Sequence, residues 1–395
     1  MTYHRPQFKI LKKRLKEKRQ FIQTVVGPRQ VGKTTLVLQL LDELDYLSYY
    51  HSADAIDSSN SLWLVQQWES ARLKLKTSKA NQCILVIDEI QKISNWSEIV
   101  KAEWDKDTID KVKIKVIVLG SSSLLIQKGL TESLAGRYEK IYLGHWSYSE
   151  MKNAFNLEVN KFVWFGGYPG AVTLIEDENR WKDYIKNSLI ETTVSKDILM
   201  MQRIDKPALL KRLFELGCLY SGQILSYTKM LGQLQDVGNT VTLSHYLDLL
   251  NTAGLIKGLE KFSIQKVRQR GSSPKFQVYN TAFLSGQMVE NFEEIKMQPE
   301  KWGRIVESAI GAHLINYSLT EEFNVYYWRH KGNEVDFVLE RNGKIIGLEI
   351  KSGLQQYSKG LENFNKDFSA EKVMLIGKSG FPWEDFLDIN PVELF

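Results

Sequence analysis

The sequence predicts an α/β chain of more than one domain: a helix-covered parallel sheet, then a mostly helical region, then a second α/β domain built on a hairpin. Three observations carry this. Apolar runs of strand length at residues 83–87 and 115–119 are continuous rather than alternating, and helical stretches separate them. Strands buried on both faces read this way, so the sheet is parallel and covered on both sides. Helix-length segments at 209–220, 227–234 and 241–253 follow Pro207, and an alternating segment comes after them at 276–279. Finally, Asn342-Gly343 stands between two strand-like runs, which is the strongest short signal for a two-residue hairpin.

A chain of 395 residues is too long for one ordinary core and suggests two or three domains. The boundaries are expected at 1–146, 147–206, 207–285 and 286–395. No apolar run approaches the roughly 20 residues that cross a bilayer, so no membrane association is expected. The first residues are basic and lack the apolar stretch of a secretory signal. The two cysteines, Cys83 and Cys218, are far apart. That excludes a disulfide framework and a cysteine-only zinc site, and it fits a reducing, cytoplasmic setting. The net charge of +5 is mild, but basic residues crowd 9–19 and 257–275. Each stretch is either a solvated face or a set of phosphate contacts.

Residues 21–26 form a short β-branched run, and 34–44 read as a helix. Between them lies Gly27-Pro28-Arg29-Gln30-Val31-Gly32-Lys33-Thr34, a match to G-x-x-x-x-G-K-[ST] with Thr35 following. Glycines let such a backbone curl until its N–H groups face phosphate oxygens, and the helix that follows adds its positive end. Lys33 would reach the β- and γ-phosphates and the Thr34 hydroxyl would ligate Mg2+. Four apolar residues, Ile84 to Ile87, then carry Asp88 and Glu89 at their end. Asp88 would hold magnesium directly or through water, and Glu89 would act as general base. The reading is a P-loop NTPase sheet that binds ATP. The strand at 115–119 ends in Gly120-Ser121-Ser122-Ser123, where a hydroxyl could touch the γ-phosphate. Arg137 is a candidate arginine finger.

In the C-terminal part, 302–317 reads as a helix and 325–328, 334–339, 344–350 and 373–376 as strands. The Asn342-Gly343 turn sets the register. Arg341 faces Lys344, Asp336 faces Glu349, and Glu334 faces Lys351. On the other face Val335, Phe337 and Leu339 meet Ile350, Leu348 and Ile346. Like charges directly opposed destabilise a sheet unless one is protonated or a cation lies between them. An Asp, Glu and Lys patch with oxygen ligands for a metal at Asp336 and Glu349 suits phosphodiester hydrolysis, with Lys351 orienting or deprotonating water. The plainer reading is a solvated face with a Glu334–Lys351 ion pair. The arrangement is similar to the PD-(D/E)XK nuclease fold, with Glu307 at its helical acid position.

Taken in order, these motifs resemble AAA+ ATPases of bacteria and archaea that carry a C-terminal domain of unknown function. The matching residues are the P-loop with Arg29, Asp88-Glu89-Ile90-Gln91 with Trp96, and Gly120-Ser121-Ser122. Leu134-Ala135-Gly136-Arg137, Gly166-Gly167-Tyr168-Pro169, Tyr246-Leu247-Asp248-Leu249-Leu250 and Gly254-Leu255-Ile256 continue the series. It ends on Glu334-Val335-Asp336-Phe337 with Glu349-Ile350-Lys351, so nearly the whole chain is covered. The resemblance implies a sensor role for Ser121 and Ser122. It also implies a finger role for Arg137 on a neighbouring subunit, and hence a homo-oligomer. Gly144-His145-Trp146 departs from the family, which often has a proline after the Arg137 strand.

Three helices and a ribbon at 207–285 suggest a winged helix. Its segment 241–253 would touch duplex DNA and the basic 257–275 wing would contact phosphates. The alternative is an ATP-dependent regulator of a protein partner, with the nuclease-like domain inert.

Overall fold

The computed structural model describes residues 3–120, 130, 133–198, 204–234, 239–264, 271–351 and 358–395. Ser121 and Ser122, the tip of the 257–275 segment and most of the turn at 235–239 lie outside the described residues. The chain forms two compact units, Met1–Leu143 and Gly144–Phe395.

The first unit alternates helix and strand: α1 (Pro6–Lys16), β1 (Ile22–Val26), α2 (Lys33–Glu43), β2 (Leu47–Ser52), α3 (Ser61–Thr77), β3 (Cys83–Asp88), α4 (Trp96–Ile109), β4 (Ile114–Gly120) and β5 (Tyr138–Tyr142). The five strands are parallel in the order β2-β3-β4-β1-β5. Every position of β1, β3 and β4 is buried. This is the two-sided cover that continuous apolar runs require. Leu64, Trp68, Val100 and Trp104 of α3 and α4 share one core with Leu85, Ile87, Val116 and Val118. No helix among the described residues is long and apolar enough to cross a membrane.

Two elements lay below the reach of sequence patterning. Strand β2 is an edge strand, only half-buried along most of its length, so Leu-Ser-Tyr-Tyr-His-Ser shows no apolar run. The basic segment 9–19 is largely helix α1. It buries Phe8, Leu11 and Leu15 at helical spacing and turns its charges outward. Several of those charges are engaged within the unit: Lys12 with Glu43, Arg14 with Glu139, and Arg19 stacked 3.5 Å over the Trp104 ring.

The second unit opens with α5 (Tyr148–Phe155), α6 (Val159–Phe165) and α7 (Glu178–Asp183), the last running on in wider turns to Ile190. Then come α8 (Pro207–Leu219), α9 (Tyr227–Leu234) and α10 (Thr240–Thr252), followed by an antiparallel ribbon of β6 (Ile256–Leu259) and β7 (Lys275–Val278). Short helices α11 (Ala282–Ser285) and α12 (Phe292–Lys296) lead to α13 (Pro299–Ser318). The remainder is β8 (Asn324–His330), β9 (Asn333–Arg341), β10 (Lys344–Lys351), α14 (Lys359–Phe368), β11 (Lys372–Gly377) and α15 (Trp383–Phe386). The sheet order is β11-β10-β9-β8, antiparallel except for β10 with β11. Backbone bonds from Phe262 to the Tyr327 carbonyl (2.6 Å) and from Tyr327 to the Glu260 carbonyl (3.1 Å) tie the ribbon's continuation to edge strand β8.

The β9–β10 register is the expected one near the turn: Arg341 with Lys344, Leu339 with Ile346, Phe337 with Leu348. Asn342 and Gly343 both take positive φ (51° and 82°), as a type I′ turn demands. Regular pairing stops at Phe337–Leu348, one step before the two acids would meet. There the Asp336 side chain, not its backbone, accepts the Ile350 N–H at 2.8 Å. The face expected to be solvated is covered farther along. Val338 is buried with Leu361 and Phe364 of α14.

Buried in α13 beside Tyr317 and Phe386 is His313, and burial lowers its imidazole from 6.5 to about 4. Its unfolded form therefore binds a proton at pH values where the folded form does not, so stability falls as pH drops from about 6.5 toward 4. The cost at full effect is roughly 3 kcal/mol. In urea melts, wild type should lose stability relative to His313→Phe as pH is lowered through this window. Curves that stay parallel across it would remove His313 as the cause.

Candidate functional site

The P-loop leaves β1 at the C-terminal edge of the parallel sheet, the edge where open α/β sheets take their ligands. Gly27 packs so closely on β5's continuation that a Cβ would lie 1.9 Å from the Leu143 carbonyl oxygen. Gly32 takes φ 88° immediately before α2, a left-handed conformation that suits glycine. Helix α2 then starts with no side-chain cap and no acid in its first turn, as an anion-receiving helix end should. The Lys33 ammonium is buried within the loop, donating to the carbonyls of Gly27 (3.1 Å) and Pro28 (2.7 Å). Arg5 supports the loop by donating to the Val31 carbonyl at 3.1 Å. Arg29 is half-buried, Pro28 and Val31 are buried, and Gln30 and Thr35 are exposed.

Asp88 ends β3 beside the loop. Its Oδ2 accepts from the Thr34 hydroxyl at 2.6 Å and from the Tyr50 hydroxyl at 2.7 Å, and its Oδ1 accepts the Glu89 N–H at 2.8 Å. Burial, and then the bond to Asp88, push the Tyr50 phenol well above its ordinary value, so it remains a donor. Glu89 sits at φ 51°, an uncommon conformation for a non-glycine residue, and its carboxylate accepts from Gln91 at 2.5 Å. Thr34, Asp88 and Glu89 are thus brought together as their spacing suggested. Tyr50 joins them without any motif to announce it.

Arg137 lies elsewhere. It precedes β5 at the N-terminal edge of the sheet, where Tyr138 pairs with Ile22; Val26, next to the P-loop, pairs with Tyr142. Four residues of strand separate these levels, about 13 Å at 3.3 Å per residue. Its guanidinium forms a two-pronged pair with Asp105 of α4, at 2.8 and 3.0 Å.

The C-terminal acids converge on an unexpected cation. Lys275 of β7, placed by sequence in a phosphate-contacting wing, is fully buried. Its ammonium lies 3.0 Å from Glu307, 3.2 Å from Asp336 and 3.7 Å from Glu334. Burial opposes its charge, but the three carboxylates outweigh burial and raise its pKa. Burial likewise raises the Glu307 carboxyl, with Lys275 opposing and Asp336 adding to the rise. The expected Glu334–Lys351 opposition is replaced. Lys351 pairs with Glu349 at 2.8 Å, while Glu334 turns to Lys275 and, at 3.9 Å, to Arg329.

The two acids expected to share a metal, Asp336 and Glu349, are each partnered within the protein. Asp336 accepts from Lys275 and the Ile350 N–H, and Glu349 accepts from Lys351 and the Ser358 hydroxyl. All four carboxylate oxygens therefore already face a protein donor. Among the described residues no group of three or more His, Cys, Asp or Glu side chains is arranged to hold a metal ion. Burial works against the Lys351 ammonium, but the hydrogen bond it donates to Glu349, together with the charges of Glu349, Asp336 and Glu307, outweighs burial and raises its pKa, which disfavours Lys351 as a base.

Family models match three stretches of the chain. Residues 19–152 match the family model described as an AAA domain, 156–293 one described as a domain of unknown function (DUF8612), and 302–395 another (DUF4143). The chain is 25% identical to an uncharacterized protein of Methanocaldococcus jannaschii, over 91% of this chain and 83% of that protein. It is 21% identical to an uncharacterized protein of Haemophilus influenzae, over 91% and 89%. Among solved structures, the Aeropyrum pernix ORC1 protein in complex with DNA aligns at TM-score 0.33 and 11% identity, covering 70% of this chain and 89% of that one. A variant of Thermotoga maritima RuvB aligns at TM-score 0.32 and 19% identity, covering 64% and 85%. The N-terminal unit has the α/β fold of a P-loop NTPase and carries an AAA-type domain.

Proposed function

We propose that this chain is a magnesium-dependent ATPase whose hydrolysis is coupled to nucleic-acid binding by the C-terminal unit. The observation that carries the reading is the cluster at one sheet edge: Thr34, Asp88 and Glu89 joined by hydrogen bonds, with Lys33 held in the adjoining loop by the Gly27 and Pro28 carbonyls. Its donors fit the cofactor: an ammonium and an uncapped helix start for phosphate, and hard hydroxyl and carboxylate oxygens for Mg2+. Bound ATP–magnesium supplies the scissile phosphoanhydride. Lys33 neutralises phosphate charge, Thr34 and Asp88 hold the cation, and Glu89 receives the proton of the attacking water. Arg137, at the opposite edge, fits a finger role only toward a second copy, which is why the reading includes a homo-oligomer.

For the C-terminal unit, helices α8 to α10 with the β6–β7 ribbon support a winged-helix reading, and the α13, β8 to β11 and α14 order supports a nuclease-like one. Asp336, Glu349 and Lys351, with Glu307, are the residues that would cut a bound strand. A second reading, a protein partner, is favoured by one observation: α10 contains no Lys or Arg, and it presents Val241, His245 and Asp248 outward. Duplex and phosphate readers rely on cationic contacts.

A titration with labelled duplex and single-stranded DNA, with and without ATP, tests these readings. Affinity that falls steeply with salt, and that responds to ATP in wild type but not in Lys33→Ala, is expected. No binding at low salt would transfer the proposal to a protein partner. Magnesium- or manganese-dependent cleavage lost in Lys351→Ala would support the nuclease assignment, and cleavage unchanged in that variant would remove it.

A further inference from the structure

Tyr50 has no place in the loop motif or in the acid pair, yet it touches the central acid. Strand β2 runs parallel to β3 in a register that sets Ser52 beside Asp88. Tyr50, two residues back, shares the face of Ser52, so its ring lies on the diagonal from Asp88. That diagonal is about 7–8 Å, a span only a long side chain covers. Tyr49, on the opposite face, packs into the core instead. The two hydroxyls on Asp88 Oδ2, from Thr34 at 2.6 Å and Tyr50 at 2.7 Å, hold that oxygen from helix α2 and from strand β2.

We propose that Tyr50 is a positioning residue of the magnesium site, acting through Asp88. The inference rests on the ATP reading above. A carboxylate that serves a cation beside a hydroxyl ligand must keep one rotamer. Thr34 can offer a lone pair to the metal and still donate its proton to Asp88, but a single hydrogen bond leaves the carboxylate free to turn about it. The Tyr50 hydroxyl supplies the second restraint from an edge strand, and the Glu89 N–H on Oδ1 supplies the third. The assignment also explains why a polar aromatic occupies a half-buried edge position where phenylalanine would pack equally well.

The test is Tyr50→Phe in the full chain, with fluorescently labelled ATP as probe and Mg2+ titrated from an EDTA-treated start. Hydrogen bonds to charged groups are worth enough that the Mg2+ concentration for half-maximal tightening should rise about tenfold. Affinity for the probe in EDTA should stay within about twofold of wild type, since Tyr50 reaches the cation-side groups Asp88 and Thr34 and makes no bond to Lys33. In an Asp88→Asn background the same substitution should have no further effect on Mg2+ dependence, whereas a merely structural role would add. A Mg2+ midpoint unmoved by Tyr50→Phe, or an undiminished shift in Asp88→Asn, overturns the proposal. Wild type that binds no labelled ATP at all overturns the ATP reading instead. Should Tyr50→Phe fold poorly, Tyr50→Trp keeps a large ring without the hydroxyl and is expected to show the same midpoint shift.

Discussion

Replacing Lys275 with alanine should cost the C-terminal unit about 3–5 kcal/mol, because three carboxylates then lose their shared partner. The lysine is fully buried and its ammonium answers Glu307, Asp336 and Glu334 together. Removing one side of a buried charge network leaves the other side desolvated and unpaired, which is costlier than never having the pair. Urea melts, with hydrogen exchange at the amides of β9 and β10, would read the loss. A shift under about 1 kcal/mol would mean that water reaches the acids and that the cluster is not closed. The pH response gives an independent sign. Burial already raises the Glu307 carboxyl in the wild type, and without the lysine it should rise further. A carboxyl raised in the folded state is best tolerated at low pH and loses its stability contribution as pH climbs through the folded value. Lys275→Ala should therefore recover part of its deficit on acidification, and Lys275→Ala with Glu307→Gln should recover part of it at neutral pH.

Glu89→Gln should leave ATP affinity within about threefold of wild type while lowering turnover about 100- to 10,000-fold, the usual worth of a positioned general base. The side chain follows Asp88, takes a left-handed backbone conformation, and is held by Gln91 at 2.5 Å. Backbone strain of this kind persists only where the surroundings impose it. A steady-state assay at saturating ATP, together with single-turnover measurement, separates chemistry from product release. Turnover that stays near the wild-type value would remove Glu89 as base and leave Asp88 or a residue beyond β4 to orient the water.

Much of the architecture was legible because it depends on short-range patterns. Continuous apolar runs identify buried parallel strands wherever they sit in the chain. Pro207 and the 3.6-residue periodicity mark α8 to α10 to within a few residues. Asn342-Gly343 sets the hairpin and hence the register through Phe337 and Leu348. The P-loop residues of the candidate site adjoin one another, so their mutual geometry follows from local backbone preferences, chiefly at Gly27 and Gly32.

Tertiary structure alone decided which cation meets which acid. Lys275 and Asp336 are 61 positions apart, and Tyr50 and Asp88 are 38 apart. A charge in a basic run reads as solvent-facing unless something shows that its strand is buried, and β7 is a short strand whose four positions are all buried. Extrapolating the register to Asp336 and Glu349 predicted a clash to be relieved by protonation or by a cation. The ladder instead ends one pair earlier, and each acid turns to its own donor. Local sequence specifies backbone form and face. The partner of a buried charge is set by the path of distant segments through the core, where desolvation makes an unpaired group too costly to leave alone.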